Sequence, residues 1–210
     1  MSTSVNHPLF ARLYTRLIAP SLVREGGDDL RRRVLSGLVG TVVEVGAGDG
    51  ANFAHYPDTV SRVVAVEPEP YLREHAAARA DERVVLRDNV AADLPVGDGE
   101  ADAVVFSLVL CSVDDQAAAL AEARRVLRPG GELRFFEHVE AAEPGFVRRL
   151  QGALDATVWP RLCGGCHLGR DTAGAIERAG FPITEIDRFS FPDGARGPSS
   201  SVILGRAVRP

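Results

Sequence analysis

Residues 41–52 read TVVEVGAGDGAN, and few folds admit such a run. Val42, Val43 and Val45 are strand formers, and they lead into three alternating glycines, Gly46, Gly48 and Gly50. Twenty-one residues past Gly46, a second β-rich run of Val63, Val64, Ala65 and Val66 ends in Glu67. Strand, glycine turn, helix, strand and terminal carboxylate describe one half of a nucleotide-binding α/β sheet. Glycine lets the backbone approach a ligand where a Cβ would clash. The carboxylate at the second strand end suits the two hydroxyls of a ribose.

The glycine pattern alone also fits a dinucleotide site, so a nicotinamide-dependent oxidoreductase is the rival reading. Glu44 argues against it. A dinucleotide site normally carries an apolar residue there, because that strand is buried on both faces. A carboxylate at the strand's carboxyl end suits a cationic group instead, such as the ammonium and sulfonium of S-adenosyl-L-methionine.

The rest of the chain alternates β and α elements. Strands are expected at residues 41–45, 62–67, 83–86, 103–109 and 132–138, with a closing antiparallel pair at 183–191 and 201–208. Helices are expected at residues 7–18 (closed by Pro20), 28–38, a short one from 50, 70–80, 116–127, 145–158 and 170–179. This order predicts an α/β, doubly wound, mostly parallel seven-stranded sheet with an antiparallel closing strand. Residues 1–39 read as an N-terminal helical cap and 40–210 as a Rossmann-like core, together one domain.

Composition narrows the partners. A net charge of −5 over 210 residues argues against a phosphate-binding surface, so nucleic acid is not expected. Arg31-Arg32-Arg33 reads as a solvated helix face. No apolar run is long enough to span a bilayer, and the N-terminus shows no signal pattern, so no stable membrane anchor and a cytoplasmic address are expected. The cap helix carries too little basic charge for a lipid surface and reads as a cover for the pocket. Cys163-Gly164-Gly165-Cys166-His167 matches haem-attachment and redox spacings, but with no second Cys pair and no export signal it reads as a glycine-rich loop with two small thiols.

Glu44 to Gly50, Glu67-Pro68, Leu94-Pro95, Asp102 and Val126 to Gly131 follow the motif order of class I S-adenosylmethionine-dependent methyltransferases. A narrower set resembles the methyltransferase-like thiol S-methyltransferases: Gly50-Ala51-Asn52-Phe53, Leu108 to Val113, Phe136 to Val139, and Gly165-Cys166-His167-Leu168 with Arg170. The resemblance implies that Gly46, Ala47, Gly48 and Gly50 line the methionine part of the cofactor and that Glu44 helps to place its ammonium group. It implies Glu67 on the ribose, Pro68 beside the adenine, and Asn89, Val90 and Ala91 near the adenine edge. Ser107 and Leu108 lie beneath the methyl donor, and Asp102 is structural.

The acceptor is expected to be a small apolar molecule, a thiol first, with a lipid head group or quinone-type ring second. A thiol, with its pKa near 8.5, benefits from a nearby base, and His138 at the end of strand five is the catalytic candidate. His167 is a weaker one. Cys111 reads as packing. Phe146, Leu150 and Trp159 are expected to form an apolar lid. No metal is expected.

Overall fold

A computed structural model describes residues 7–210; the first six residues of the expected cap lie outside the described residues. The N-terminal segment forms α1 (Pro8–Leu13), a π turn (Tyr14–Ile18), α2 (Ala19–Arg24) and α3 (Gly27–Leu35). β1 (Gly40–Val45) leads through a 3₁₀ turn (Phe53–His55) to β2 (Val60–Val66), α4 (Pro70–Ala77) and β3 (Val84–Arg87). Then come β4 (Ala101–Ser107), α5 (Gln116–Val126), β5 (Leu127–His138), α6 (Phe146–Asp155), α7 (Trp159–Leu162) and α8 (Thr172–Arg178). β6 (Ile183–Ser190) and β7 (Ser201–Val208) close the chain.

The seven strands lie in the order β3-β2-β1-β4-β5-β7-β6. β1 to β5 are mutually parallel, and β7 runs antiparallel to both β5 and β6. Strand periodicity sends alternate residues to opposite faces. Val43, Val45, Val104 and Phe106 pack beneath α5 and α8 with Ala119, Leu120 and Ile176. Val42, Val63, Ala65 and Val105 pack on the other face beneath α3, against Leu30, Val34 and Leu35. Both faces are covered, which is why the middles of β1 and β4, Val42-Val43 and Ala103 to Phe106, are apolar.

Several expected boundaries move, each for a local reason. Pro20 does not end the first helix. The π turn gives Ala19 N–H a partner five residues back, Tyr14 O, so Pro20 enters at the start of a fresh helical segment, where its missing N–H is tolerated. The helix expected from residue 50 contracts to the single 3₁₀ turn, because Pro57 holds Tyr56 in extended backbone. α3 starts at Gly27 and is preceded by Gly26 at φ 95°, rather than being capped by an aspartate. β5 begins at Leu127, which pairs with Ala101, so the Arg-Pro-Gly-Gly turn becomes an irregularity inside the strand. β4 ends at Ser107, two residues early, because Leu108 takes φ 61°, the one non-glycine residue with positive φ among the described residues.

Strand order reverses at β1 and β4, whose carboxyl ends diverge to adjacent crossovers. Ligands of doubly wound sheets bind at such a switch point. No helix among the described residues is long and apolar enough to cross a membrane.

Candidate functional site

The glycine turn is bonded to the end of the neighbouring strand. Gly46 N–H and Ala47 N–H both donate to Val66 O, at 2.8 and 3.0 Å. All three glycines have positive φ, at 69°, 57° and 78°. At Gly46 the demand is also spatial, since an added Cβ would lie 2.5 Å from Val109 Cγ2. At Gly48 a Cβ would meet nothing within 4 Å, so that position faces open space.

Glu44 is buried, and both its oxygens are engaged. Asn52 Nδ2 donates to Oε1 at 2.8 Å, and Tyr56 Oη donates to Oε2 at 3.0 Å. Burial pushes its pKa up to about 7, against those hydrogen bonds and the Arg31 charge, which favour the carboxylate. Glu67 stands just past β2. Its Oε2 accepts from Gly48 N–H at 2.8 Å and its Oε1 from Glu69 N–H at 2.9 Å. Burial raises it to about 7 as well. Each Glu67 oxygen retains a lone pair beyond the bond described.

A cavity opens above this turn, enclosing about 40 Å³ in its interior and about 450 Å³ counting its mouth. Its walls include Glu44, Gly46, Ala47, Gly48, Ser107 and Leu108. Gly50, Glu67, Pro68 and His138 do not line it, nor do Asn89, Val90 and Ala91, which are half-buried in the loop after β3. Glu67 is one hydrogen bond removed, through Gly48.

The cavity also has walls that sequence reasoning missed. Tyr14, Leu22, Gly27 and Arg31 come from the N-terminal helices, Asp49 and Asn52 from the glycine turn, Phe136 from β5 and Phe191 from the loop after β6. The Tyr14 phenol is pushed up to about 12 by burial, with the Asp49 carboxylate adding to it. Arg31 corrects the solvated-face reading. It is only 7% exposed and its Nη1 donates to Asp28 Oδ1 at 3.1 Å, whereas Arg32 and Arg33 are exposed. The signal was present, because Arg31 shares the helical stripe of Val34, Leu35 and Leu38. Asp49 Oδ2 pairs with Arg79 at 3.0 Å, but Asp49 Oδ1 and Asn52 Oδ1 are buried without a donor among the described residues. Such orphaned acceptors are costly unless something else satisfies them.

His138 lies two residues beyond Phe136 on the same face of β5. Burial lowers its pKa to about 4, so the ring is neutral at physiological pH. The Ser199 backbone lies beside the ring, and its Nδ1 is buried with no partner among the described residues. Glu137, on the opposite face, was overlooked. It accepts the N–H groups of Val109, Leu110 and Cys111 at 2.9, 2.9 and 3.1 Å and so fixes the loop after β4. Arg170 Nη1 braces the same loop through Leu110 O and Val113 O. Asp102 is structural, tying Thr41 N–H at 2.8 Å to Arg128 Nε at 2.7 Å. The expected lid does not form. Phe146 is exposed, and Trp159 packs with Cys111, Cys166 and Leu168 away from the cavity.

A methyltransferase domain matches residues 43–135. Thiol S-methyltransferase TMT1A of Homo sapiens is 39% identical over 158 residues, covering 72% of this chain and 64% of that protein. Thiol S-methyltransferase TMT1B of Rattus norvegicus is 34% identical over 178 residues (80% and 70%), and that of Mus musculus 37% over 187 (83% and 74%). Among solved structures, geranyl diphosphate C-methyltransferase of Streptomyces coelicolor A3(2) superimposes with a TM-score of 0.68 at 17% identity, over 94% of this chain and 84% of that one. An S-adenosylmethionine-dependent methyltransferase of Mesorhizobium loti gives 0.65 at 21%, over 86% and 96%. These two share the fold. The chain belongs to the class I S-adenosylmethionine-dependent methyltransferases, in the family that includes the thiol S-methyltransferases.

Proposed function

We propose that this enzyme methylates a small apolar thiol in the cavity above the glycine turn, with residues 40–210 as the catalytic core and the N-terminal segment as its cap. One observation carries the reading. The cavity that Glu44, Asp49 and Asn52 line is also lined by Leu22, Leu108, Phe136 and Phe191, so polar and apolar groups share its walls. The 34–39% identity to thiol S-methyltransferases supports a thiol as the acceptor.

The residues present fit the cofactor. Asp49 Oδ1 and Asn52 Oδ1, acceptors without donors, suit an ammonium group, as does the buried charge of Glu44. Arg31 is a buried cation on the same wall and suits a carboxylate. Gly46, Ala47, Gly48 and Gly50 admit close approach, and Glu67 offers its free lone pairs to ribose hydroxyls. Pro68 and the loop of Asn89, Val90 and Ala91 flank the adenine. Bound S-adenosylmethionine supplies an electrophilic methyl on a sulfonium.

The chain's own part is positioning and desolvation. Holding a nucleophile in line at about 3 Å supplies much of the rate. A cavity that excludes water leaves the sulfonium poorly solvated, and its charge is dispersed as the methyl passes to the thiol sulfur. His138 is the proposed proton acceptor. Its neutral ring carries one unprotonated nitrogen, and a sulfur that is gaining a methyl becomes acidic enough to release its proton to a weak base.

An acceptor panel of alkyl thiols, amines, phenols and a quinol, assayed with labelled methyl donor, tests this. Turnover on the thiols alone is expected. Turnover confined to the quinol or to amines would replace the acceptor while leaving the cofactor reading intact.

A further inference from the structure

The three cysteines, two of them in the Cys163-Gly164-Gly165-Cys166 loop, converge beside the site. Cys111 leaves the end of β4 and is 1% exposed, and it packs with Cys166, Leu168, Trp159 and Cys163. His167 N–H donates to Cys111 O at 2.8 Å and so ties the two loops together, while Cys166 N–H closes its own loop on Cys163 O at 3.1 Å. The glycines make this possible. At Gly165, φ 87°, a Cβ would lie 2.7 Å from Ser112 O, and at Gly164, φ 59°, one would lie 2.6 Å from the Phe10 ring. A loop that admits no side chain at either position is wedged between the cap and the end of β4.

Within the cluster the thiols are not equivalent. The Cys111 S–H beside it favours a Cys166 thiolate, and Cys111 itself is held protonated by that neighbour and by burial. The Trp159 indole packs against the same cluster, its N–H buried without a hydrogen-bond partner among the described residues. A charge-favoured thiolate packed against a second thiol is the arrangement that performs thiol–disulfide exchange. The Glu137 carboxylate, beneath Cys111, completes it as a proton acceptor. None of these groups lines the cavity assigned to methyl transfer.

We propose that Cys166 and Cys111 form a dithiol site that reduces small disulfides and closes to an intramolecular disulfide. The Cys166 thiolate attacks a low-molecular-weight disulfide RSSR, forming a Cys166–S–SR bond and releasing RS⁻. Cys111 then gives its proton to Glu137, and its sulfur attacks Cys166 Sγ, forming the Cys111–Cys166 bond and expelling the second RS⁻. Two electrons leave the protein dithiol and reduce RSSR to two thiols. Cys163, half-buried at the rim, takes no part. The inference stands independently of the methyl acceptor.

The test uses the full chain and bis(2-hydroxyethyl) disulfide as the probe. Thiols are counted after denaturation, and the linked peptides are mapped by mass spectrometry. The wild type is expected to fall from three free thiols to one, with Cys111 joined to Cys166 and full recovery on adding dithiothreitol. C163S is expected to lose both of its thiols, and C166S to keep both. Three thiols persisting in the wild type, a stable adduct on Cys163 alone, or a Cys163–Cys166 bridge would each overturn the proposal. The wild-type map decides the matter even where a variant folds poorly.

Discussion

Gly48 N–H donates to Glu67 Oε2 at 2.8 Å, so the glycine turn after β1 and the carboxylate after β2 form one unit. The bond crosses between strands that pair Val45 with Val66, and the same turn also takes Val66 O as its acceptor. The carboxylate is therefore oriented before any ligand arrives, which lowers the ordering cost of binding.

Arg31 is predicted to discriminate the amino-acid end of the cofactor. Arg31→Gln is expected to weaken S-adenosylhomocysteine binding by about 1–3 kcal/mol, the range for a lost hydrogen bond to a charged group, and to leave 5′-methylthioadenosine unchanged. Calorimetry on both ligands checks this. Equal weakening of the two would mean that Arg31 supports the fold rather than the ligand.

Glu44 is predicted to make the free protein less stable as pH rises. A carboxyl near 4.5 when unfolded and about 7 when folded binds more protons in the native state, so its contribution is complete below pH 4.5 and is lost as pH rises through 7. Glu44→Gln keeps the hydrogen-bonding shape without the charge. The Tm of the variant minus that of the wild type is therefore expected to increase from pH 5 to pH 8. A flat difference would place the Glu44 pKa in the ordinary carboxylate range.

His138 is predicted to be neutral across the working range. With a pKa of about 4 it contributes no limb near pH 6.5 to the rate profile. His138→Ala is expected to lower kcat about 100-fold while leaving the S-adenosylhomocysteine Kd unchanged. Undiminished turnover would remove it from the chemistry.

The sheet was legible because parallel strands buried on both faces are written as unbroken valine runs, as at Val42, Val43 and Val45. The first cavity wall was legible for a related reason: glycines and a carboxylate at a strand end have few other uses. The second wall was not. Tyr14, Arg31, Phe136 and Phe191 come from four segments that meet only after the sheet closes and the cap folds across it. Arg31 was misread because a charge run ordinarily means solvent, and only its phase with Val34 and Leu38 showed otherwise. Glu137 was hidden inside an apolar strand, where nothing local announces three backbone donors on the neighbouring loop.

Titrating S-adenosylhomocysteine into the wild type and Glu67→Ala is the most direct measurement. A ribose-bound carboxylate, already aligned by Gly48, predicts a loss of about 1–3 kcal/mol in the variant, roughly 5- to 150-fold in Kd, with NAD(H) bound by neither. Equal affinity for the two proteins, with the variant folded, would contradict the placement of the cofactor between the ends of β1 and β2.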